Sequence, residues 1–277
     1  MEKKKISKKS LYLRIAAGVA GFVLLCICVT FTMSFTGNPI SSFMAKKAAK
    51  EYVANKYPEY DMVIKDSMYN FKIGGYDVDV QDKNSQDICF SVWYRDFDGI
   101  VGDNYEEMVV EQGSTVVRLE NEMGEEVKRV IYKYAEDKGL KISGRCYTSL
   151  FKYISELKRN NEKLPSLNTP FSKELGLKGE YFIDFTVKNE LTNEEIADII
   201  NEIYDVLTEN DLGVEKLITS YKTAGTDDEM TVSVDAELIN DELAENIEYA
   251  LRDDEIHEGI YVYSSKYRNG IITEDTK

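Results

Sequence analysis

The residues best suited to chemistry in this chain are acidic. Asp96-Phe97-Asp98-Gly99-Ile100-Val101-Gly102-Asp103-Asn104-Tyr105-Glu106-Glu107 places Asp96, Asp98 and Glu107 at positions 1, 3 and 12 of a calcium loop. Ile100 stands at position 5, and Val101 stands where such a loop needs Gly. The plainer reading is a strand-to-helix loop with Asp103 as the helix cap. Asp227, Asp228 and Glu229 form a second acidic group in an expected hairpin. Two carboxylates held about 5–10 Å apart in a cleft can hydrolyse glycosides, whereas adjacent acids in a turn ordinarily face water. His257 is the one histidine, and it lies in an acidic turn, Asp253-Asp254-Glu255-Ile256-His257-Glu258. Any Ser-His-Asp triad would have to use it, and no G-x-S-x-G accompanies it. There is no G-x-x-x-x-G-K-[ST] and no G-x-G-x-x-G, so no phosphate cradle is written in the sequence and no cofactor is expected.

Four cysteines are present. Cys26 and Cys28 sit inside an apolar run. Cys89 and Cys146 fall beyond it, in a compartment that permits a disulfide, and their spacing alone does not say whether they pair. No C-x-x-C exists, which removes zinc-ribbon and thioredoxin-like readings.

The elements that must position these residues begin with an anchor. Residues 1–14 form a basic tail, with Lys3, Lys4, Lys5, Lys8, Lys9 and Arg14. A charge-free run follows from Ile15 to Met33, and the expected membrane helix covers 15–35. Nineteen residues at about 1.5 Å each span roughly the 30 Å hydrocarbon core. A cleaved signal peptide wants a shorter apolar region and a small-x-small site, and FTMSFTGNP offers none. A lipoprotein needs a small residue before the modified cysteine, but Leu25 and Ile27 precede Cys26 and Cys28. The favoured expectation is an uncleaved single-pass helix with the basic end in the cytoplasm and the rest extracellular. Ala17 and Gly21 make a small-xxx-small pair through which two copies can meet as a homodimer.

The net charge is −16, and removing residues 1–35 leaves 28 basic against 49 acidic residues. Such a body repels nucleic acid, whose affinity rests on Lys and Arg neutralising phosphates. At 43% hydrophobic and 30% charged, the chain has the composition of a folded protein rather than a disordered one.

Beyond the anchor the spacing predicts an α+β chain in two parts. The first, 40–160, opens with a helix from Phe43 to Tyr57, started by Ser41 or Ser42 and stopped by Pro58. Three antiparallel strands follow: Met62 to Ile73, a turn at Gly74-Gly75, Tyr76 to Gln81, and Ile88 to Tyr94. Val116, Leu119, Met123, Val127, Ile131 and Tyr134 then recur at helical spacing up to Gly139. A short strand, Lys141 to Tyr147, and a helix with Leu150, Phe151, Ile154 and Leu157 follow. Asn160 to Lys178, with Pro165 and Pro170, reads as the linker between domains. The second part, 178–268, reads strand, helix, strand, strand, helix, strand. Thr192-x-x-Glu195 is a capping box for its first helix, and Gly213 is expected just past that helix. This order predicts a ferredoxin-like (βαββαβ) domain, a four-stranded antiparallel sheet with both helices on one face. Residues 269–277 are a tail.

The segments GNPISSFMAKKAAKEYVANKYPEYD and YNFKIGGYDVDV are the most distinctive in the chain. With the preceding basic residues and apolar helix, they resemble the YfjL-like proteins of Bacillota. The resemblance rests on Gly37-Asn38-Pro39, Lys56-Tyr57-Pro58 and Tyr69-Asn70-Phe71 and covers about residues 35–110. It implies a Gram-positive cell-surface membrane protein of unknown function, and it transfers no catalytic residues.

The function expected from all this is a non-catalytic binding or scaffold protein of the cell envelope, whose partner is another envelope protein. Two alternatives are a cation-stabilised (calcium) sensor or ligand-binding ectodomain using Asp96, Asp98 and Glu107, and an envelope hydrolase using carboxylates such as Asp98, Asp227 and Asp228.

Overall fold

A computed structural model describes residues 8–252 and 259–265. The chain divides into two compact units, Met1–Ser114 and Thr115–Lys277.

The first unit begins with α1 (Lys8–Thr36). Within it, Tyr12–Met33 is long and apolar enough to cross a membrane, and none of it is buried in protein. The hydroxyls of Thr30, Thr32 and Thr36 donate to the carbonyls of Cys26, Cys28 and Thr32 at 2.8, 2.9 and 3.0 Å. Each therefore has a partner in its own helix, which an apolar surrounding requires.

Helix α2 (Pro39–Lys56) starts earlier than expected. Asn38, not Ser41 or Ser42, is its cap, with its side-chain oxygen accepting the Ser41 amide at 2.8 Å. Pro39 takes the first helical position, where a missing N–H costs nothing. Ser41, Ala45, Ala49 and Val53 form the buried stripe, and their small side chains let α2 lie close on the sheet beneath.

That sheet holds β1 (Met62–Asn70), β2 (Gly75–Asp82), β3 (Cys89–Arg95) and β4 (Gly99–Asp103), antiparallel and in chain order. Tyr76, Val78 and Val80 stand opposite Tyr94, Val92 and Phe90, and all six are buried. The expected three strands are thus four. Gly99 and Gly102 break the alternation that marks the other strands, and the β3–β4 register shifts at Trp93/Tyr94. A five-residue segment with two glycines reads as a loop until its pairing is known. After β4 a single π turn, Glu106–Val110, leads to α3.

The second unit carries most of α3 (Gly113–Lys138), then β5 (Lys141–Ser149), α4 (Phe151–Arg159), β6 (Lys178–Val187), α5 (Asn193–Glu209), β7 (Gly213–Thr223), β8 (Glu229–Asp235), α6 (Leu243–Arg252) and β9 (Ile260–Ser264). The five strands also lie in chain order. The β6–β7 pair is parallel and the other three are antiparallel. One sheet face, with Tyr181, Ile183, Phe185, Leu217, Tyr221, Val232 and Val234, shares a core with Leu119, Met123 and Ile131 of α3, Ile196, Ile200 and Ile203 of α5, and Leu243 and Ile247 of α6.

Two expectations are corrected here. The ferredoxin-like arrangement does not form. In that fold the strands joined by the first helix are separated by a third, whereas β6 and β7 lie side by side in one βαβ unit. The boundary is also not within 160–178. Strand β5, before that stretch, pairs with β6, after it, through Cys146↔Ile183 and Tyr147↔Phe182. The division falls after Ser114 instead. The capping box at Thr192 and Glu195 forms as read, with both reciprocal hydrogen bonds. The left-handed residue after α5 is Asp211 (φ 57), and Gly213 begins β7.

Candidate functional site

The most heavily built polar group in the first unit surrounds Asp103, the last residue of β4. Its side chain is 6% exposed. Tyr52 Oη donates to it at 2.5 Å, Lys56 Nζ at 2.8 Å, Tyr57 Oη at 3.1 Å and the Tyr105 amide at 3.1 Å. Lys56 also donates to Tyr52 Oη at 2.7 Å and lies 5.2 and 5.1 Å from the centres of the Tyr52 and Tyr57 rings. The Tyr57 ring stacks on Tyr105 at 4.3 Å, Phe90 meets both rings edge-on, and Tyr60 Oη lies 2.9 Å from Tyr105 Oη.

The local sequence explains who meets whom. Tyr52 and Lys56 are one turn apart on α2, so both side chains point the same way. Pro58 ends the helix and turns Tyr57 onto Phe90. Burial alone would raise the Asp103 carboxyl, but hydrogen bonds from Lys56, Tyr52, the Tyr105 amide and Tyr57 hold it below its ordinary value. The Asp103 hydrogen bond raises Lys56 in turn, and burial raises Tyr52 and Tyr57. The carboxylate is therefore ionised and saturated with donors. It is poorly placed to take a proton from a substrate and well placed to pin the end of α2 to β4.

At the other end of α2 lies a second fixed point. The Tyr76 hydroxyl donates to Asn38 O at 2.9 Å and accepts from Asn38 N at 2.7 Å. Gly37 has φ +70, and a Cβ there would lie 2.6 Å from Tyr76 Oη and 2.7 Å from Tyr69 Cβ. The Gly37-Asn38-Pro39 juncture thus ties α1 and α2 to the β1–β2 hairpin.

The structure places the acids singled out in the sequence as follows. Asp96 and Asp98 lie exposed in the turn between β3 and β4, and Asp98 pairs with Arg95 at 3.9 Å. Glu107 lies in the π turn after β4. They are not brought together, and among the described residues no group of three or more His, Cys, Asp or Glu side chains converges as a metal site. Asp227 and Asp228 lie in the β7–β8 turn and Glu229 opens β8. His257 lies outside the described residues, as do Lys3, Lys4 and Lys5.

Cys89 is half-buried on β3 and Cys146 is buried on β5, and both are free thiols. Burial pushes the Cys146 thiol up to about 11, so it carries almost no thiolate at neutral pH.

In the second unit a groove of about 550 Å³ runs between α3 and α5. Tyr134 Oη donates to Glu202 Oε2 at 2.8 Å and Lys138 Nζ to Oε1 at 2.5 Å. Burial and Glu202 raise the Tyr134 phenol, while Lys138 lowers the Glu202 carboxyl. Neither is tuned towards neutrality, where a general acid or base works best.

Sequence reading missed the Asp103 cluster. The sequence marks Asp103 only as a helix cap, whereas the π turn after β4 has its cap at Tyr105 with no side-chain cap hydrogen bond. Nothing local links Lys56 to a residue 47 positions away. The one signal was the resemblance itself, which already marked Lys56-Tyr57-Pro58.

No curated protein and no solved structure matches the chain. The family model of the YfjL-like N-terminal domain matches residues 8–104, which takes in α1, the juncture, α2, all four strands and Asp103. The chain is therefore similar to the YfjL-like proteins over its first unit, an apolar helix followed by a helix-on-sheet domain of unknown function.

Proposed function

We propose that this is a single-pass membrane protein whose acidic body, outside the cytoplasm, serves as a non-catalytic binding or scaffold module for another component of the cell envelope. The observation that carries this reading is the continuity of α1 with the body. A wholly uncovered apolar helix, Tyr12–Met33, runs through a hydrogen-bonded juncture into a packed domain. Lys8 and Lys9 precede it and Arg14 lies in its first turn, which favours that side in the cytoplasm. The donor-saturated Asp103 and the buried Cys146, whose thiol burial pushes up, favour binding over catalysis.

Orientation is tested by labelling. A Ser85→Cys change would add a buried thiol, so the exposed Asn84 is the better site. A membrane-impermeant maleimide should label Asn84→Cys in intact cells, in a Cys26→Ser, Cys28→Ser, Cys89→Ser background. Labelling only after lysis would reverse the orientation. The binding role is tested by cross-linking the tagged full chain and identifying what co-purifies from solubilised membranes. A dominant partner, absent with an unrelated anchor, is the expected result. Loss of that partner on exchange of α1 alone would assign binding to the anchor and overturn the role given to the body.

A further inference from the structure

Strand direction gathers a set of exposed apolar residues at one end of the first unit. Strand β1 runs into the turn at 71–74 and β3 into the turn at 96–98, so both tips lie at the same end of the antiparallel sheet. Each tip carries a phenylalanine, Phe71 at 61% exposure and Phe97 at 102%. Turn positions ordinarily hold Gly, Asn, Asp, Ser or Pro, so an exposed Phe at each of two adjacent tips is unusual.

This is also the end at which α1 arrives. Gly37 packs on Tyr69 and Tyr76, a register pair two residues short of Phe71 along β1. At about 3.3 Å per residue, the Phe71 tip is roughly 7 Å further on. Tyr76 is paired with Tyr94, three residues before Phe97. Helix α2 begins here as well, and Ile40 and Phe43, at 74% and 70% exposure, lie on its uncovered side. At the opposite end of the sheet, the β2–β3 turn at 83–88 exposes no large hydrophobic side chain among the described residues.

We propose that this end of the first unit is a second membrane contact, in which Phe71, Phe97, Ile40 and Phe43 enter the headgroup layer of the leaflet from which α1 emerges. The inference rests on the reading of α1 as membrane-spanning, and its occupant is the lipid surface continuous with that anchor. Apolar side chains left exposed within one or two turns of a membrane helix gain by entering the interface, much as an interfacial helix does. The charges around the tips nearly balance, with Lys72 and Arg95 set against Asp96 and Asp98. Contact therefore depends on the rings rather than on anionic lipid. Two tips and a helix start, fixed by the Tyr76–Asn38 hydrogen bonds, would hold the sheet at one tilt above the bilayer.

The test uses the full chain in phosphatidylcholine vesicles whose upper acyl chains are brominated, so that they quench nearby tryptophan. Each variant is made in a Trp93→Phe background. Phe71→Trp and Phe97→Trp probe the tips, Phe31→Trp probes the anchor and Asn84→Trp probes the far turn. The expected result is blue-shifted, quenched emission from Phe71→Trp and Phe97→Trp, approaching that of Phe31→Trp, with Asn84→Trp unquenched. If both tips behave like Asn84→Trp while Phe31→Trp is quenched, the contact is overturned and the anchor stands. Quenching at one tip alone, or at all four sites, overturns it too. If Phe31→Trp is not quenched, the anchor reading fails and the contact fails with it.

Discussion

Tyr76 and Asn38 share two hydrogen bonds through one hydroxyl, which donates to the Asn38 carbonyl at 2.9 Å and accepts from its amide at 2.7 Å. The pair stands between the end of α1 and the start of α2. It converts what the sequence shows as a short Gly-Asn-Pro juncture into a fixed corner.

Removing that hydroxyl should loosen the corner. Tyr76→Phe leaves two backbone groups without this partner and is expected to cost about 1–3 kcal/mol. Gly37→Ala should cost more than about 1 kcal/mol, because φ +70 is strained for alanine and its Cβ would collide with Tyr69 and Tyr76. Thermal unfolding of the full chain in detergent, followed by circular dichroism, measures both. A melting temperature unchanged in either variant would show that the corner is not fixed in this way.

The Asp103 cluster makes stability depend on pH in a defined direction. The folded carboxyl lies below its ordinary value, so the unfolded chain binds its proton first. The stabilisation is complete above the unfolded value of about 3.9 and is lost as pH falls through the lower, folded value. Asp103→Ala should cost about 1–3 kcal/mol at neutral pH, since it leaves the Tyr52 and Tyr57 hydroxyls without this acceptor while Lys56 can still reach water. Asp103→Asn should flatten the stability profile below about pH 4. A profile equally steep in Asp103→Asn and the parent would assign the acid sensitivity to other carboxylates.

Thiol chemistry should be slow at Cys146. With its thiol pushed up to about 11 and its side chain buried, iodoacetamide at pH 8 should leave it unmodified in the folded chain and react after denaturation. Mass spectrometry of the peptide containing Cys146 gives the result directly, and rapid modification of the folded chain would mean that β5 opens readily.

Calcium should have no effect on melting. Asp96 and Asp98 stay in a tight turn while Glu107 sits beyond β4, and Arg95 already neighbours Asp98. Scans with millimolar calcium and with chelator are expected to coincide. A rise with calcium would revive the cation reading of the 96–107 segment.

What the sequence determined by itself is what depends on neighbours in the chain. The uncharged run from Ile15 to Met33 is enough to define an apolar helix, because helix length and bilayer thickness are both local quantities. The alternation of Tyr76, Val78 and Val80 with acids defines a half-buried strand, and Thr192 with Glu195 defines a helix start, because period and capping act over a few residues. The start of α2 is the exception, because Ser41 and Ser42 suit a cap as a residue type while the structure caps the helix at Asn38 with Pro39 following.

Only the tertiary structure decided how those elements associate. The same strand-helix-strand-strand-helix-strand order fits a ferredoxin-like sheet or the sequential sheet that forms, and the difference is whether β6 pairs with β7. Pairing is a contact between distant segments, and no local period encodes it. The same dependence on distant contacts puts β5 beside β6, makes a strand of the glycine-containing β4 and gives Asp103 its partners on α2. Its partner Lys56 lies 47 residues earlier, and their meeting requires that α2 first pack along the sheet and bring its last turn to the end of β4.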